Sequence, residues 1–515
     1  MVILMSSPVF ISHTWAGITR NVNKNDSHCN DIHGNPYCSI KEAIEASQDA
    51  DVVIIAEGTY IENGITINKD ITLQGSGTRS TFIDGGNTPP RIFFVASGAT
   101  VTIRDVTIQN GMDVDKGGAG VRNEGNLSLF YCTIKNNSTL SGTFPVAVHS
   151  LTGISEGLGT GGGILNTNNG ILHIDRSTIS GNKADYGGGV WNASGIMIVE
   201  SSTFSGNTTI ESGAAMSLDA ETTIVNSTIS SNTADSDKND SGHAGGIAIG
   251  DFTWGIYTSD FPTDVLTIVV KNTIIAENKD ASPDQGSPPH DCRGPIVSEG
   301  YNIIKVTMGC KINGVNTYDL PKPSNTTDIY GYYPNYELDV KLGSLDNNGG
   351  PTDTHVIRPG SPAIDKGDPV SCPSFDQRGF IRPIDGDGDQ SVRCDIGAIE
   401  LGCSDGKLAV GEECDDGNAE NTDSCLNTCK LAICGDSFIE AGEEECDDGE
   451  ANGNSSKGSC KVNCSIKRLS IFSNVDSIGG CGLVETKFTV SSLILLLWVS
   501  ILLLSYRFVG HKKNN

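Results

Sequence analysis

Between residues 100 and 280 one short phrase recurs: VTIQNG (106–111), CTIKNN (132–137), STISGN (177–182), STFSGN (202–207), STISSN (227–232) and NTIIAEN (272–278). Thr178, Thr203 and Thr228 are 25 residues apart, and Thr133 to Thr178 and Thr228 to Thr273 are steps of 45. A fixed period of this size builds a solenoid, because a unit so short cannot bury its apolar face alone and must stack on the next. Apolar residues alternate ahead of the phrases (Leu127/Leu129, Ile171/Ile174, Ile196/Ile198, Ile224). Gly-rich turns follow them (117–121, 161–164, 187–190 and 245–249), and no helical period is present.

The pattern predicts an all-β fold, a parallel β-helix that is right-handed as nearly all β-crossovers are. Equivalent residues then stack about 4.8 Å apart. Ile108, Ile134, Ile179, Phe204, Ile229 and Ile274 are the expected inward ladder, and Asn137, Asn182, Asn207 and Asn232 an amide ladder three residues later. Asn110 and Asn278 stand one place out of that register. Cys132 shares its column with Val106, Ser177, Ser202 and Ser227 and reads as a buried small residue, not a nucleophile.

Charge and cysteine content bound the partners and the compartment. With 35 basic and 63 acidic side chains in 515 residues (net −28), neither nucleic acid nor an anionic membrane surface is an expected ligand, since phosphate binding needs clustered cations. Sixteen Cys point to export into an oxidising compartment. Residues 1–16 are mostly apolar and end in Thr14-Trp15-Ala16, a small-x-small site that makes Ala16 the expected signal-peptide cleavage point, although no Lys or Arg precedes the run. Residues 488–506 carry no charge over 19 positions, enough to span a hydrocarbon core of about 30 Å. Arg507, His511, Lys512 and Lys513 follow, which puts 507–515 on the cytoplasmic side. The membrane, through this C-terminal helix, is an expected partner.

After Leu401 the composition changes. Residues 403–429 and 434–464 are two copies of one unit with the core GEE(E)CDDG: Cys403, Cys414, Cys425 and Cys429, then Cys434, Cys446, Cys460 and Cys464. Units this short bury too little apolar surface to fold unaided, so disulfides are expected to replace a core, with three connectivities open per unit. Proximity pairs Cys29 with Cys38, Cys292 with Cys310 and Cys372 with Cys394, leaving Cys132 and Cys481. Over 403–464, 15 acidic residues face 4 basic ones. Asp415, Asp416, Asp447 and Asp448 either offer oxygens to Ca²⁺ or form a solvated acidic face. Asp385-Gly-Asp387-Gly-Asp389 has the first half of a calcium loop, with Ile396 where the twelfth-position Glu would stand.

On these residues, parts of the chain resemble known families. The GG[AG][IV] turn paired with an F/I-x-x-N phrase over about 95–285 is similar to the right-handed parallel β-helix families of pectin-lyase-like architecture, in particular the repeats of polymorphic outer membrane proteins. CSIKEAIEAS (38–47) with DADVVIIAEGTY (49–60) resembles the CSLREAI domain that opens exported β-helix proteins. Residues 342–401 resemble the choice-of-anchor region, and the two cysteine units the myxococcus-type cysteine-rich repeat. Gly479-Gly480-Cys481-Gly482 before the apolar segment resembles a tripartite sorting signal, which implies processing or lipidation at Cys481. Together these imply a bacterial surface protein: signal peptide 1–16, CSLREAI-like cap and first coils 17–85, β-helix 86–341, choice-of-anchor region 342–401, cysteine repeats 402–465, linker 466–487, membrane helix 488–506 and tail 507–515.

No P-loop, HExxH or nucleophile-elbow pattern is present. Beside the repeat phrase, Arg104/Asp105, Phe130/Tyr131, Asp175/Arg176, Glu200/Ser201, Val225/Asn226 and Val270/Lys271 read as exposed strand positions with carboxylates falling singly. His149, His173 and His243 each stand alone and read as solvated or turn histidines. Inserts near 138–160 and 250–265 carry Phe144, Trp254, Tyr257 and Phe261 and are candidate recognition loops. The expected function is non-catalytic: a surface adhesin or spacer with an extracellular polysaccharide or protein ligand and no cofactor beyond Ca²⁺. The alternative is a polysaccharide lyase or glycoside hydrolase.

Overall fold

The computed structural model describes residues 17–32, 34, 36–139, 159–239, 242–250, 266–282, 291–316, 327–331, 338–386, 391–401, 413–416, 422–426, 430–436, 438–449, 452, 460 and 463–465. The chain divides into a unit Met1–Ser465 and a unit Ile466–Asn515. The second, with Cys481, the expected membrane helix and the tail, lies outside the described residues, as do Ala16, His149, Phe144, Trp254, Tyr257, Phe261, Cys403 and Cys429. Among the described residues no helix is long and apolar enough to cross a membrane.

The coils carry three main strands that pair in parallel with their equivalents in the next coil, and four of them add a short fourth strand, Lys183–Ala184, Thr208–Thr209, Thr233–Ala234 and Lys279–Asp280. The first face holds the longer strands, such as Thr100–Arg104, Asn126–Phe130, Gly170–Asp175, Gly195–Glu200 and Glu221–Val225. The second holds the repeat phrase, in Thr107–Gln109, Thr133–Lys135, Thr178–Ser180, Thr203–Ser205 and Thr228–Ser230. The third runs through Ile65–Ile67, Phe93–Val95, Val121–Asn123, Ile164–Asn166, Val190–Asn192 and Met216–Leu218. Alternation along a strand sends every second side chain inward, so the core is a set of stacked columns. At the N-terminal end the helix Ile40–Ala46, with Ser39 Oγ accepting from the Glu42 amide, puts Ile40, Ala43 and Ile44 into the same core. It covers apolar residues that an open solenoid end would leave in water.

The inward column on the second face runs Ile83, Ile108, Ile134, Ile179, Phe204, Ile229, Ile275 and Ile304, all fully buried. This corrects the expectation for Ile274. Thr228 pairs with Ile274 and Ile229 with Ile275, so the last step is 46 residues, not 45. With that step Asn278 joins the amide ladder: Asn232 Nδ2 donates to Asn278 Oδ1 at 2.8 Å. In the first coil the ladder position is Gly111, whose amide donates to Asn137 Oδ1. Asn110 sits instead in the left-handed turn position, with φ 55°.

Two further internal ladders were not legible as such. On the third face Asn123 Nδ2 donates to Asn166 Oδ1, and Asn166 Nδ2 to Asn192 Oδ1. Between the first and second faces, the amides of Cys132, Ser177, Ser202 and Ser227 donate to the hydroxyls of Ser177, Ser202, Ser227 and Thr273 one coil on. These ladders give the buried Asn amides and the Cys132, Ser177, Ser202 and Ser227 backbone N–H groups an in-register partner. Cys132 occupies this hydroxyl column, is buried, and burial pushes its thiol up to about 12.

Residues 342–401 fold back along the second face as a strap. Its outward Thr column is buried beneath it: Thr178 Oγ1 donates to Asp353 O at 2.6 Å, Thr203 Oγ1 to Gln377 Oε1 at 2.6 Å, and Thr228 Oγ1 accepts from the Ala398 amide. The outward Ile274 and Ile303 join a second apolar cluster with Ile357, Ala363, Ile396, Ala398 and Ile399 of the strap. Inside the strap Arg382 pairs with Glu400 at 2.6 Å, both fully buried, and Arg378 with Asp376 at 2.8 Å.

Disulfides join Cys29 to Cys38, Cys292 to Cys310, Cys372 to Cys394, Cys414 to Cys425, Cys434 to Cys464 and Cys446 to Cys460. In the second cysteine repeat the outer bridge encloses the inner one, and Cys414–Cys425 joins the corresponding second and third Cys of the first. These six bridges among the described residues are those of a protein folded in an oxidising compartment.

Candidate functional site

Among the described residues, a constellation of chemically capable side chains lies on the first face, over three consecutive coils. Strand Gly170–Asp175 sends His173 and Asp175 outward, and strand Gly195–Glu200 sets Glu200 directly opposite Asp175. Glu200 Oε2 lies 2.8 Å from His173 Nε2. The His173 ring meets Phe130 of the preceding coil edge-on, with centroids 5.5 Å apart. Arg176 Nε lies 3.3 Å from Asp175 Oδ1, and its Nη1 donates to the Tyr131 hydroxyl at 2.7 Å while the guanidinium stacks on that ring. Asp105, Tyr131, Arg176, Ser201 and Asn226 are not strand residues. They occupy a column of left-handed turn residues with φ between 44° and 58°, which lifts their side chains to the edge of the face.

The strap forms one border of this patch. Thr352 Oγ1 donates to the Arg176 carbonyl. Gly379, at φ 89°, stands beside the Tyr131 hydroxyl, where a side chain would be both strained and in contact with it.

The electrostatics separate the two carboxylates. Burial raises the Asp175 carboxyl above the usual range despite the Arg176 charge, whereas the hydrogen bond to His173 holds Glu200 below it. The same hydrogen bond raises the His173 imidazole. A histidine raised in the folded state contributes stability that is complete below its unfolded pKa of about 6.5 and lost as pH rises through the folded value. In a Glu200→Gln chain, ring-proton NMR will find His173 titrating lower than in the wild type, back toward about 6.5; an unshifted titration would contradict the pair.

The expectation of isolated carboxylates and histidines is therefore corrected. Asp175 and Glu200 are in-register neighbours, His173 bridges diagonally to Glu200, and His243 lies 3.4 Å from Asp280. The 25-residue step already aligned Asp175 with Glu200. The diagonal partner two residues along the strand was the signal not read.

The candidate Ca²⁺ residues have other bonds. Asp447 Oδ2 accepts from the Gly435 and Asp436 amides, its Oδ1 accepts from the Gly449 amide, and Asp448 Oδ2 accepts from the Cys460 amide. These carboxylates tie the turns of the second cysteine repeat together. Among the described residues the grouping Cys434, Glu444 and Cys464 has ligand atoms close together, but its two sulfurs are bonded to each other, which leaves no thiolate for a metal.

A family model described as a domain of unknown function, DUF4215, matches residues 394–430. Over 44 residues the chain is 54% identical to the acetylcholinesterase collagenic tail peptide of Torpedo marmorata, which is 8% of this chain and 9% of that protein. The chain thus matches less than a tenth of that relative's length. Among solved structures it is similar to pectate lyase Pel9A, at 14% identity and TM-score 0.41 over 75% of this chain and 98% of that one. It is also similar to the pectin methylesterase of Aspergillus niger, at 12% identity and TM-score 0.29 over 64% and 85%.

Proposed function

We propose that this chain is a non-catalytic interaction protein of the cell exterior whose first-face patch binds a saccharide chain. The observation that carries the reading is the contiguity of Phe130, Tyr131, His173, Asp175, Arg176 and Glu200 on three coils. Planar carboxylate and guanidinium groups suit the paired hydroxyls of a sugar ring, and the half-buried Phe130 and Tyr131 rings offer apolar surface to its C–H face. The side chains are already bonded to one another, so the patch is preorganised and loses little entropy on binding. The six disulfides among the described residues and the apolar 488–506 segment support display at a membrane surface outside the cell.

The test is retention of the protein on a panel of immobilised neutral and acidic polysaccharides. Arg176→Gln and Phe130→Ala each weaken any wild-type binding by about tenfold, as loss of one charged hydrogen bond or one ring contact implies. Wild-type binding to none of the panel, or equal binding by both variants, would sink the reading.

One observation favours a second reading. Asp175 is raised and Glu200 lowered at directly opposed positions, and two carboxylates with separated proton affinities can serve as acid and base in glycoside hydrolysis.

A further inference from the structure

The third face carries a separate feature. Thr66, Phe94 and Arg122 are in-register outward residues of three adjacent strands, and they floor a cavity of about 480 Å³ that is also lined by Gly64, Pro90, Arg91, Lys116 and Glu124. In a chain of net charge −28, three lining side chains are cationic and one is anionic. Two of the cations are fixed. Arg91 is 10% exposed, pairs with Asp113 at 2.9 Å and donates to the Gly117 carbonyl; Arg122 is 8% exposed, pairs with Glu124 at 2.7 Å and donates to the Lys116 carbonyl. Lys116 is exposed, and its ammonium has no hydrogen bond or ion pair among the described residues. The cavity therefore offers one free cation at its rim, buried guanidinium charge behind it, and an aromatic ring on its floor.

We propose that this cleft is a second binding site, specific for an acidic sugar unit whose carboxylate pairs with Lys116 and whose ring lies against Phe94. Volume and lining select this class. A pocket of this size accommodates a ring-sized ligand and is far larger than an inorganic anion requires. The polar lining of Thr66, Arg91, Arg122 and Glu124 suits hydroxyls and not an acyl chain. With Arg91 paired to Asp113 and Arg122 to Glu124, Lys116 is the cation left to meet a negative ligand. The site is one face away from the Asp175 patch and does not rest on the role proposed there.

The test is isothermal titration of the full chain with glucuronic acid, glucose and sodium sulfate. Glucuronic acid binds the wild type, and glucose at least about tenfold more weakly. Lys116→Glu, whose side chain has no folding contact to lose, weakens glucuronic acid by about tenfold or more, in line with loss of one charged hydrogen bond. Phe94→Ala weakens glucuronic acid and glucose together. No heat from glucuronic acid, an unaltered affinity in Lys116→Glu, or sulfate binding as tightly as glucuronic acid would each overturn the assignment.

Discussion

Replacing Arg382 with Leu will lower the stability of the strap by about 3–5 kcal/mol, the usual cost of removing one partner of a buried ion pair. Arg382 is fully buried, pairs with the equally buried Glu400, and its Nη2 donates to the carbonyls of Asp395, Gly397 and Ile399. Without it, the buried Glu400 carboxylate loses its counter-charge, keeping only the Ile384 and Asp395 amides, and three carbonyls lose a donor at once. Asp395 lies in the same cluster; burial, and then the Glu400 charge, raise its carboxyl well above the usual range. A carboxyl raised in the folded state holds its stability at low pH and loses it as pH rises, so the deficit of Arg382→Leu will be smaller near pH 4 than at pH 7. Hydrogen exchange locates the effect. Amides of 342–401 will exchange roughly 10²- to 10³-fold faster, since about 1.4 kcal/mol is tenfold, while the coils around Asn182 and Asn207 change far less. Uniform acceleration of both regions would show that the strap and the solenoid open as one body.

The second large effect is at Asn207. Its Oδ1 accepts from the amide and the Nδ2 of Asn182, and its Nδ2 donates to Ile179 O and Asn232 Oδ1, each at 2.9–3.0 Å. Asn207→Leu leaves four buried polar groups each short of a partner, at about 1–3 kcal/mol apiece, so a loss of at least about 4 kcal/mol is expected. A neighbour without such bonds provides the scale: Val225→Thr, on the outward side of the first face, stays within about 0.5 kcal/mol. Denaturant titration of the two variants checks the contrast. Equal midpoints would mean that the amide ladder does not hold the coil.

The ends of that ladder explain why Asn recurs only in its middle. Gly111 starts it with a backbone N–H alone, and Asp291 ends it as an acceptor for both nitrogens of Asn278. A carboxylate fits a terminus that needs only an acceptor, but burial pushes its pKa up to about 7.

The solenoid was legible because its period is enforced by packing: one misplaced residue would turn a whole strand inside out. That same constraint resolves the single register error. The triplet NTI at 272–274 copies the STI of earlier coils, yet only a 46-residue step places Ile275 inward and Asn278 on the ladder. The strap was recognisable by resemblance, but its position was not. An outward Thr column reads the same whether it meets water or Gln377 and Ala398. Asp376, Arg378, Arg382, Asp395 and Glu400 all stand in the motif that marked this segment, and their role is to neutralise one another within it. The first-face patch was half legible. In-register alignment of Asp175 with Glu200 follows from the repeat, whereas the reach of His173 to Glu200 across the strand diagonal depends on a side-chain direction that spacing does not encode.

The proposed role is tested most directly by incubating the chain with a polysaccharide it retains and assaying for new reducing ends and unsaturated sugars. A non-catalytic binding surface predicts that the bound polysaccharide is recovered at its original length with neither product formed. Turnover by the wild type that disappears in Asp175→Asn, with binding preserved, would contradict it and assign the patch to catalysis.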